Sequence, residues 1–388
     1  MKKFLLLIAV VLLVVLTLPT VILAQSTTDS YKTSQTYLLL EEFIQNNPDR
    51  TTTAKEQATA SYLADKFEQF GYDQVTLQRV PFEVYGYETV NVVVHKDSAN
   101  TTESIVIGAH YDSVGEGAND NASGIVALLQ VAKALKNVDL PFDVYFVAFG
   151  GEEQGLYGSQ YFGQNFSRDK MLPLTSIRLM VNIDSIANGD NLYIHCENKQ
   201  TDIANLFLQN KAGNANLLEK PYAVGVFNAD AWGYGYYEDI QGSDHTPFRV
   251  EGIPVASFFS GNFKNWNYVE STNPQNNTIN TAMDLLSKCN QSWIDKIETV
   301  SSTIIATVIN SQFDQVSANA RQDLLNLDFW YNRTWPKIVV VVVVALLALF
   351  AFLYHRKLQK QALMNTAQAN TTHVFETPSA DDIFTFKD

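Results

Sequence analysis

Apolar residues lie along this chain in three patterns. Two runs are unbroken over membrane length: Phe4 to about Ala24, behind Met1-Lys2-Lys3, and Ile338 to Leu353. A bilayer core is crossed by roughly 20 such residues. Short apolar runs bounded by turn residues form the second pattern, at Val90–Val94, Ile105–Ile107, Phe142–Phe149, Arg178–Ile183 and Pro254–Phe259. Their length and their β-branched and aromatic content predict buried strands. Helical spacing is the third pattern, over 37–46, 54–70, 125–136, 202–212 and 297–311. Strands alternating with helices predict an α/β domain with a mixed, mostly parallel central sheet flanked by helices. No internal repeat and no Gly/Ser linker divides it.

The long runs set the expected organisation. Residues 1–24 have a positive start, an apolar centre and a small residue before Gln25, and read as a secretory signal peptide or an uncleaved N-terminal anchor. Residues 337–354 read as a transmembrane helix between the interface aromatics Trp335 and Tyr354. The basic stretch His355-Arg356-Lys357-Leu358-Gln359-Lys360 then places the tail, 355–388, in the cytoplasm. Residues 25–336 become an extracytoplasmic domain of a single-pass cell-membrane protein. The tail beyond 360 is polar and reads as disordered.

Composition narrows the partners. The 388-residue chain is 46% hydrophobic, with 18 Tyr and 23 Phe, enough for a substantial core. Its net charge of -14 argues against a nucleic-acid partner, since phosphate binding needs a basic face. Cys196 and Cys289 are too few for a cysteine framework, although one disulfide is possible. Asn-x-Ser/Thr sites stand at Asn100, Asn121, Asn165, Asn276, Asn290 and Asn332.

The strand ends carry the chemistry. The segment Gly108–Gly124, GAHYDSVGEGANDNASG, leaves the 105–107 strand with His110 and Asp112 and delivers Asp120 to the next helix. Glu152 and Glu153 follow the 142–149 strand, Asp184 follows 178–183, and His245 precedes 254–259. In open α/β sheets the site lies at the carboxyl ends of the strands, so these groups are expected to converge. A lone carboxylate after a strand is ordinarily a turn or helix cap, and a lone His more often a hydrogen-bonding residue. The conjunction points to a cation site, and one His with several carboxylates suits zinc. His95 and His195, in strand-like contexts, read as structural.

The segments GAHYDS, GANDNASG, GGEEQGLYGS, NIDS and SDHTPF, in this order, resemble the M28 family of zinc aminopeptidases and carboxypeptidases over roughly residues 35–315. The resemblance implies a phosphorylase/hydrolase-like α/β sandwich, a peptide substrate and Zn2+, with two ions expected and one possible. It implies His110 and Asp184 on one zinc, Asp120 bridging, Glu153 on the second, and Asp112 orienting His110. Glu152 becomes the general base for a metal-activated water attacking the scissile carbonyl.

The family pattern ends in a His ligand within a Tyr-x-His-Thr or Tyr-His-Thr segment. This chain has no His between His245 and His355, and its segment 265–273 reads NWNYVESTN. Glu270 is expected in place of that His, with Tyr268 as an aromatic hydroxyl near the oxyanion. Alternatives are a single-metal enzyme and a catalytically impaired ectodomain that binds a partner. A carboxypeptidase would need a base for the terminal carboxylate, for which Arg249 and Arg178 are candidates. The aromatic region 222–240 is a candidate specificity pocket, and His245 a candidate substrate contact.

Overall fold

The computed structural model describes residues 30–51, 53–82, 87–98, 103–170, 176–196, 201–220, 242–264, 267–328 and 335–372. The candidate N-terminal signal, 1–24, and the aromatic region 222–240 lie outside the described residues. The chain divides into two units, Met1–Leu324 and Leu325–Asp388.

Among the described residues, nine strands make one sheet in the first unit: β1 Val75–Phe82, β2 Tyr87–Lys96, β3 Ser104–His110, β4 Asp143–Phe149, β5 Ile177–Ile183, β6 Asn191–Cys196, β7 Leu217–Glu219, β8 Val255–Lys264 and β9 Asn267–Val269. Their order is β1-β2-β4-β3-β5-β8-β6-β7, with β9 paired to β8. The centre, β4-β3-β5-β8, is parallel. β1 and β2 join antiparallel on one side, and β6 pairs antiparallel with β8 on the other. The sheet is therefore mixed with a parallel core.

Every residue of β3, β4 and β5 is buried. That explains their continuous apolar runs, because strands covered on both faces need no polar alternation. Ile105, Ile107 and Ala109 of β3 join one core cluster, and Val106 joins another on the opposite face. The first face is covered by α1 Gln35–Asn46, α2 Thr53–Gln69, α3 Gly124–Leu135 and, against α3, α7 Gln291–Val308. The second is covered by α4 Tyr157–Lys170 and α6 His245–Val250, through Phe162 and Phe248. Each such fully buried side chain stabilises the fold by about 1.5–3 kcal/mol relative to exposure. The remaining helices are α5 Thr201–Gln209, α8 Phe313–Asp328 and α9 Trp335–Thr372.

The predicted helices over 37–46, 54–70 and 125–136 and the strands over 142–149 and 178–183 lie within two residues of those observed, whereas β2, β3 and β8 extend three to five residues beyond the predicted runs, α5 ends three residues before 212 and α7 begins six residues before 297. β1 was not expected, because Gln78, Arg79 and Pro81 break its apolar pattern. It is an edge strand, where a Pro without an N–H is tolerated. Cys196 and Cys289 are buried free thiols, so the possible disulfide is not formed. Asn121 is fully buried: its amide donates to Ile183 O, and its Oδ1 accepts from Gly124 N and Ser185 N. A glycan there is incompatible with this fold.

In the second unit, Lys337–Asn365 forms one helix long and apolar enough to cross a membrane, with mean hydropathy 2.9. Its residues 337–365 are exposed.

Candidate metal centre

Parallel register brings the site together. His110 is the last residue of β3 and lies opposite Phe149 at the end of β4. Gly108 lies opposite Asn182 on β5, so two residues further along, His110 and Asp184 stand level. His110 Nε2 is 3.2 Å from Asp120 Oδ1 and 3.3 Å from Asp184 Oδ1. All three residues are buried, and their candidate ligand atoms lie within 4.8 Å of one another. The other ring nitrogen, Nδ1, is 3.1 Å from the backbone oxygen of Asp112. Donation there leaves Nε2 to face the two carboxylates.

Asp120 comes from a loop, and side chains fix it. Asp284 accepts from the backbone N–H groups of Asn119 (2.9 Å) and Asp120 (2.8 Å). Arg50, fully buried, donates to the carbonyls of Tyr111, Asn47 (2.9 Å), Glu116 (2.9 Å) and Gly117 (3.0 Å). Gly117 has φ 51°, and a Cβ there would meet Asp120 O and Ser113 Cβ at 2.4 Å. Only glycine fits that turn.

Asp112 works on the backbone as well as beside His110. Its Oδ1 is 3.5 Å from His110 Nδ1, and its two oxygens accept from Glu152 N (3.1 Å) and Glu153 N (2.9 Å). The tight turn after β4 is thereby tied to the turn after β3. Burial, together with Asp184, Asp244 and Asp112, holds the Glu152 carboxyl well above its ordinary pKa despite the attraction of His110. Burial and then Asp120 push Glu153 up to about 8. Burial opposes charge on His110, but Glu152, Asp184 and the hydrogen bonds of Asp112 and Asp120 raise its pKa well above the usual value.

Glu270 does not join this cluster. It is 2% exposed. Its Oε1 accepts from the side-chain amides of Asn119 (3.0 Å) and Asn188 (2.8 Å), and its Oε2 from the backbone N–H groups of Thr278 and Ile279 (3.0 Å). Four donors fill the lone-pair sites of a carboxylate, leaving none to bind a cation. The expectation that Glu270 replaces the missing His is corrected on this ground.

The residue brought to Glu153 and Asp120 is Asn280, ten positions later. With its amide turned so that Nδ2 faces them, it lies 2.6 Å from both Glu153 oxygens and 3.2 Å from Asp120 Oδ2. Thr281 follows it, as Thr follows His in the expected segment. That dipeptide was the available signal; the residue type hid it.

Tyr268 lies on β9 opposite Phe263, and its side chain lies outside the described residues. His245 is buried at the start of α6, its Nδ1 3.4 Å from the amide nitrogen of Asn182 on β5. Its neighbour Asp244, not singled out from the sequence, is buried, and that burial pushes its carboxyl up to about 7. Arg178 is paired with Glu103 and Asp314, so it is committed to the fold.

Residues 91–305, more than half of the chain, match Peptidase family M28. The chain belongs to that family. It is 31% identical over 161 residues to Aminopeptidase YwaD of Bacillus subtilis, a match covering 40% of this chain and 32% of that one. It is 29% identical over 181 residues to Aminopeptidase Y of Saccharomyces cerevisiae, covering 46% and 31%. The chain thus spans about a third of the length of these curated relatives. Among solved structures, the LapA aminopeptidase of Legionella pneumophila superposes with TM-score 0.53 at 22% identity, covering 71% of this chain and 70% of that one. BSAP, a zinc aminopeptidase from Bacillus subtilis, gives 0.52 at 16%, covering 70% and 93%. These two establish the M28 fold. One imidazole nitrogen and two carboxylates, buried and convergent, also form a donor set that fits zinc.

Proposed function

We propose that the chain is a membrane-anchored zinc aminopeptidase, cleaving the first residue from extracellular peptides. One observation carries this reading: His110, Asp120 and Asp184 converge at the ends of the parallel strands, and Asp112, beside His110, accepts from the backbone N–H of Glu152. The names of the relatives support the aminopeptidase direction.

His110, Asp120 and Asp184 would hold a zinc ion, which when bound acidifies a water and polarises the scissile carbonyl. Glu152 would accept the proton of the attacking water as the water oxygen bonds to the carbonyl carbon. It then delivers the proton to the amine as the C–N bond breaks. Asp112 keeps the Glu152 and Glu153 backbone in register with His110. The apolar helix after Lys337 anchors the domain, and the basic residues 355–360 keep the tail in the cytoplasm.

The test uses purified protein, aminoacyl chromogenic amides and their N-acetylated counterparts. The proposal expects zinc-dependent release from the free amino forms only, abolished by Glu152→Gln. Absence of zinc, or equal release from both forms, would sink the aminopeptidase reading. Intact cells should cleave substrate added outside, and a C-terminal tag should resist external protease.

A further inference from the structure

We propose that this chain binds one zinc ion tightly rather than two, because the side-chain amide of Asn280 occupies the corner where a second ion would need a ligand. The inference rests on the reading of His110, Asp120 and Asp184 as a zinc site.

Asp120 faces two ways. Its Oδ1 lies 3.2 Å from His110 Nε2, within the first donor set. Its Oδ2 lies 3.2 Å from the Asn280 amide, which also meets both oxygens of Glu153 at 2.6 Å. The amide orientation follows from its surroundings: with Nδ2 toward the three carboxylate oxygens, Oδ1 is turned to donors rather than acceptors. A neutral amide thus gives Glu153 and Asp120 the polar hydrogens that compensate their lone pairs. An amide nitrogen, unlike imidazole, has no lone pair to offer zinc, and the amide oxygen is the weaker, harder donor. Among the described residues, groups of three or more His, Cys, Asp and Glu with convergent ligand atoms are His110-Asp120-Asp184 and His95-Asp97-Asp143; Glu153 belongs to neither.

The backbone holds Asn280 in place, although the residue itself is exposed. Its φ is 57°, a left-handed conformation that Asn and His both tolerate. Glu270 accepts the N–H groups of Thr278 and Ile279 just before it. Thr281 N bonds back to Thr278 O at 3.1 Å just after it. Glu270 therefore positions the loop that delivers Asn280, and the missing imidazole is a change at one position in a loop otherwise built to present it.

The experiment uses the full chain in detergent, freed of metal and titrated with Co2+, with the absorption bands of the bound ion as readout, and zinc per chain measured by mass spectrometry after reconstitution. The proposal expects a break at one equivalent and one zinc per chain. Asn280→His should move both to two. Glu153→Gln should leave the parent count at one. Two tight ions in the parent chain, a count of one in Asn280→His, or a lower count in Glu153→Gln would each overturn the assignment. No zinc in the parent chain would instead overturn the zinc-site reading beneath it, an outcome distinct from a count of two.

Discussion

Among the described residues, two clusters of one His with two carboxylates occur at opposite edges of the parallel strands. His110, Asp120 and Asp184 gather beyond the carboxyl ends of β3 and β5, while His95, Asp97 and Asp143 gather where β4 begins. In the second cluster His95 and Asp143 are matched to donors and acceptors around them. His95 Nε2 meets Asp143 Oδ2 at 2.9 Å, and Nδ1 meets Gln74 at 2.8 Å. Asp143 Oδ1 accepts from Ser98 N (2.9 Å) and Ser98 Oγ (2.8 Å). In the first cluster His110 Nε2 and one oxygen each of Asp120 and Asp184 point at one another, 3.2 and 3.3 Å from the ring nitrogen. Acceptors that converge need a cation, whereas donors and acceptors that alternate need nothing more. Residue type does not separate the clusters; direction does.

The sharpest way to break this contrast is to remove the proton carrier and keep the ligands. Glu152→Gln should lower kcat on aminoacyl amides by about 10²–10⁴-fold with zinc content unchanged. A smaller fall would move the role of base elsewhere. Next in size is Asp284→Asn, which replaces an oxygen accepting the Asp120 and Asn119 N–H groups by an amide. Zinc affinity should drop about 10–100-fold, read by competition with a chelator; unchanged affinity would show that Asp120 needs no such anchor.

Glu270→Gln comes third. One oxygen survives, but an amide nitrogen is forced against a backbone or side-chain donor, and affinity should fall about tenfold. Loss of zinc as complete as in His110→Ala would return Glu270 to the ligand set.

Fourth, burial and then Asp112 push Glu56 up to about 8 from 4.5, so the folded chain keeps a proton there that the unfolded chain releases. The stability this residue contributes is full below about 4.5 and lost as pH rises through about 8. The unfolding temperature of the parent chain should fall between pH 5 and pH 8.5 relative to that of Glu56→Gln; parallel curves would show that Glu56 ionises freely. The smallest effect belongs to the satisfied cluster. His95→Gln should cost about 1 kcal/mol in urea unfolding and leave zinc content unchanged. A change in zinc content would make His95 more than structural.

The hydrophobic pattern alone located the parallel core and the long apolar helix near the C-terminus, because strands buried on both faces and a helix of membrane length leave no room for polar interruption. It also located His110, Asp112, Asp120, Glu152, Glu153 and Asp184, since each stands where a predicted strand or helix meets a loop. The edge strand β1 escaped because half of it faces water and carries Gln78, Arg79 and Pro81. The last corner of the site escaped for a different reason. Glu270 has the chemistry of a ligand but spends both oxygens on the loop, and Asn280 lacks that chemistry yet stands beside Asp120 and Glu153. Strand ends inherit their direction from the sheet, so a linear pattern can predict them. A loop takes its direction from hydrogen bonds to residues as far away as Asn119 and Asn188, and those exist only once the chain has folded.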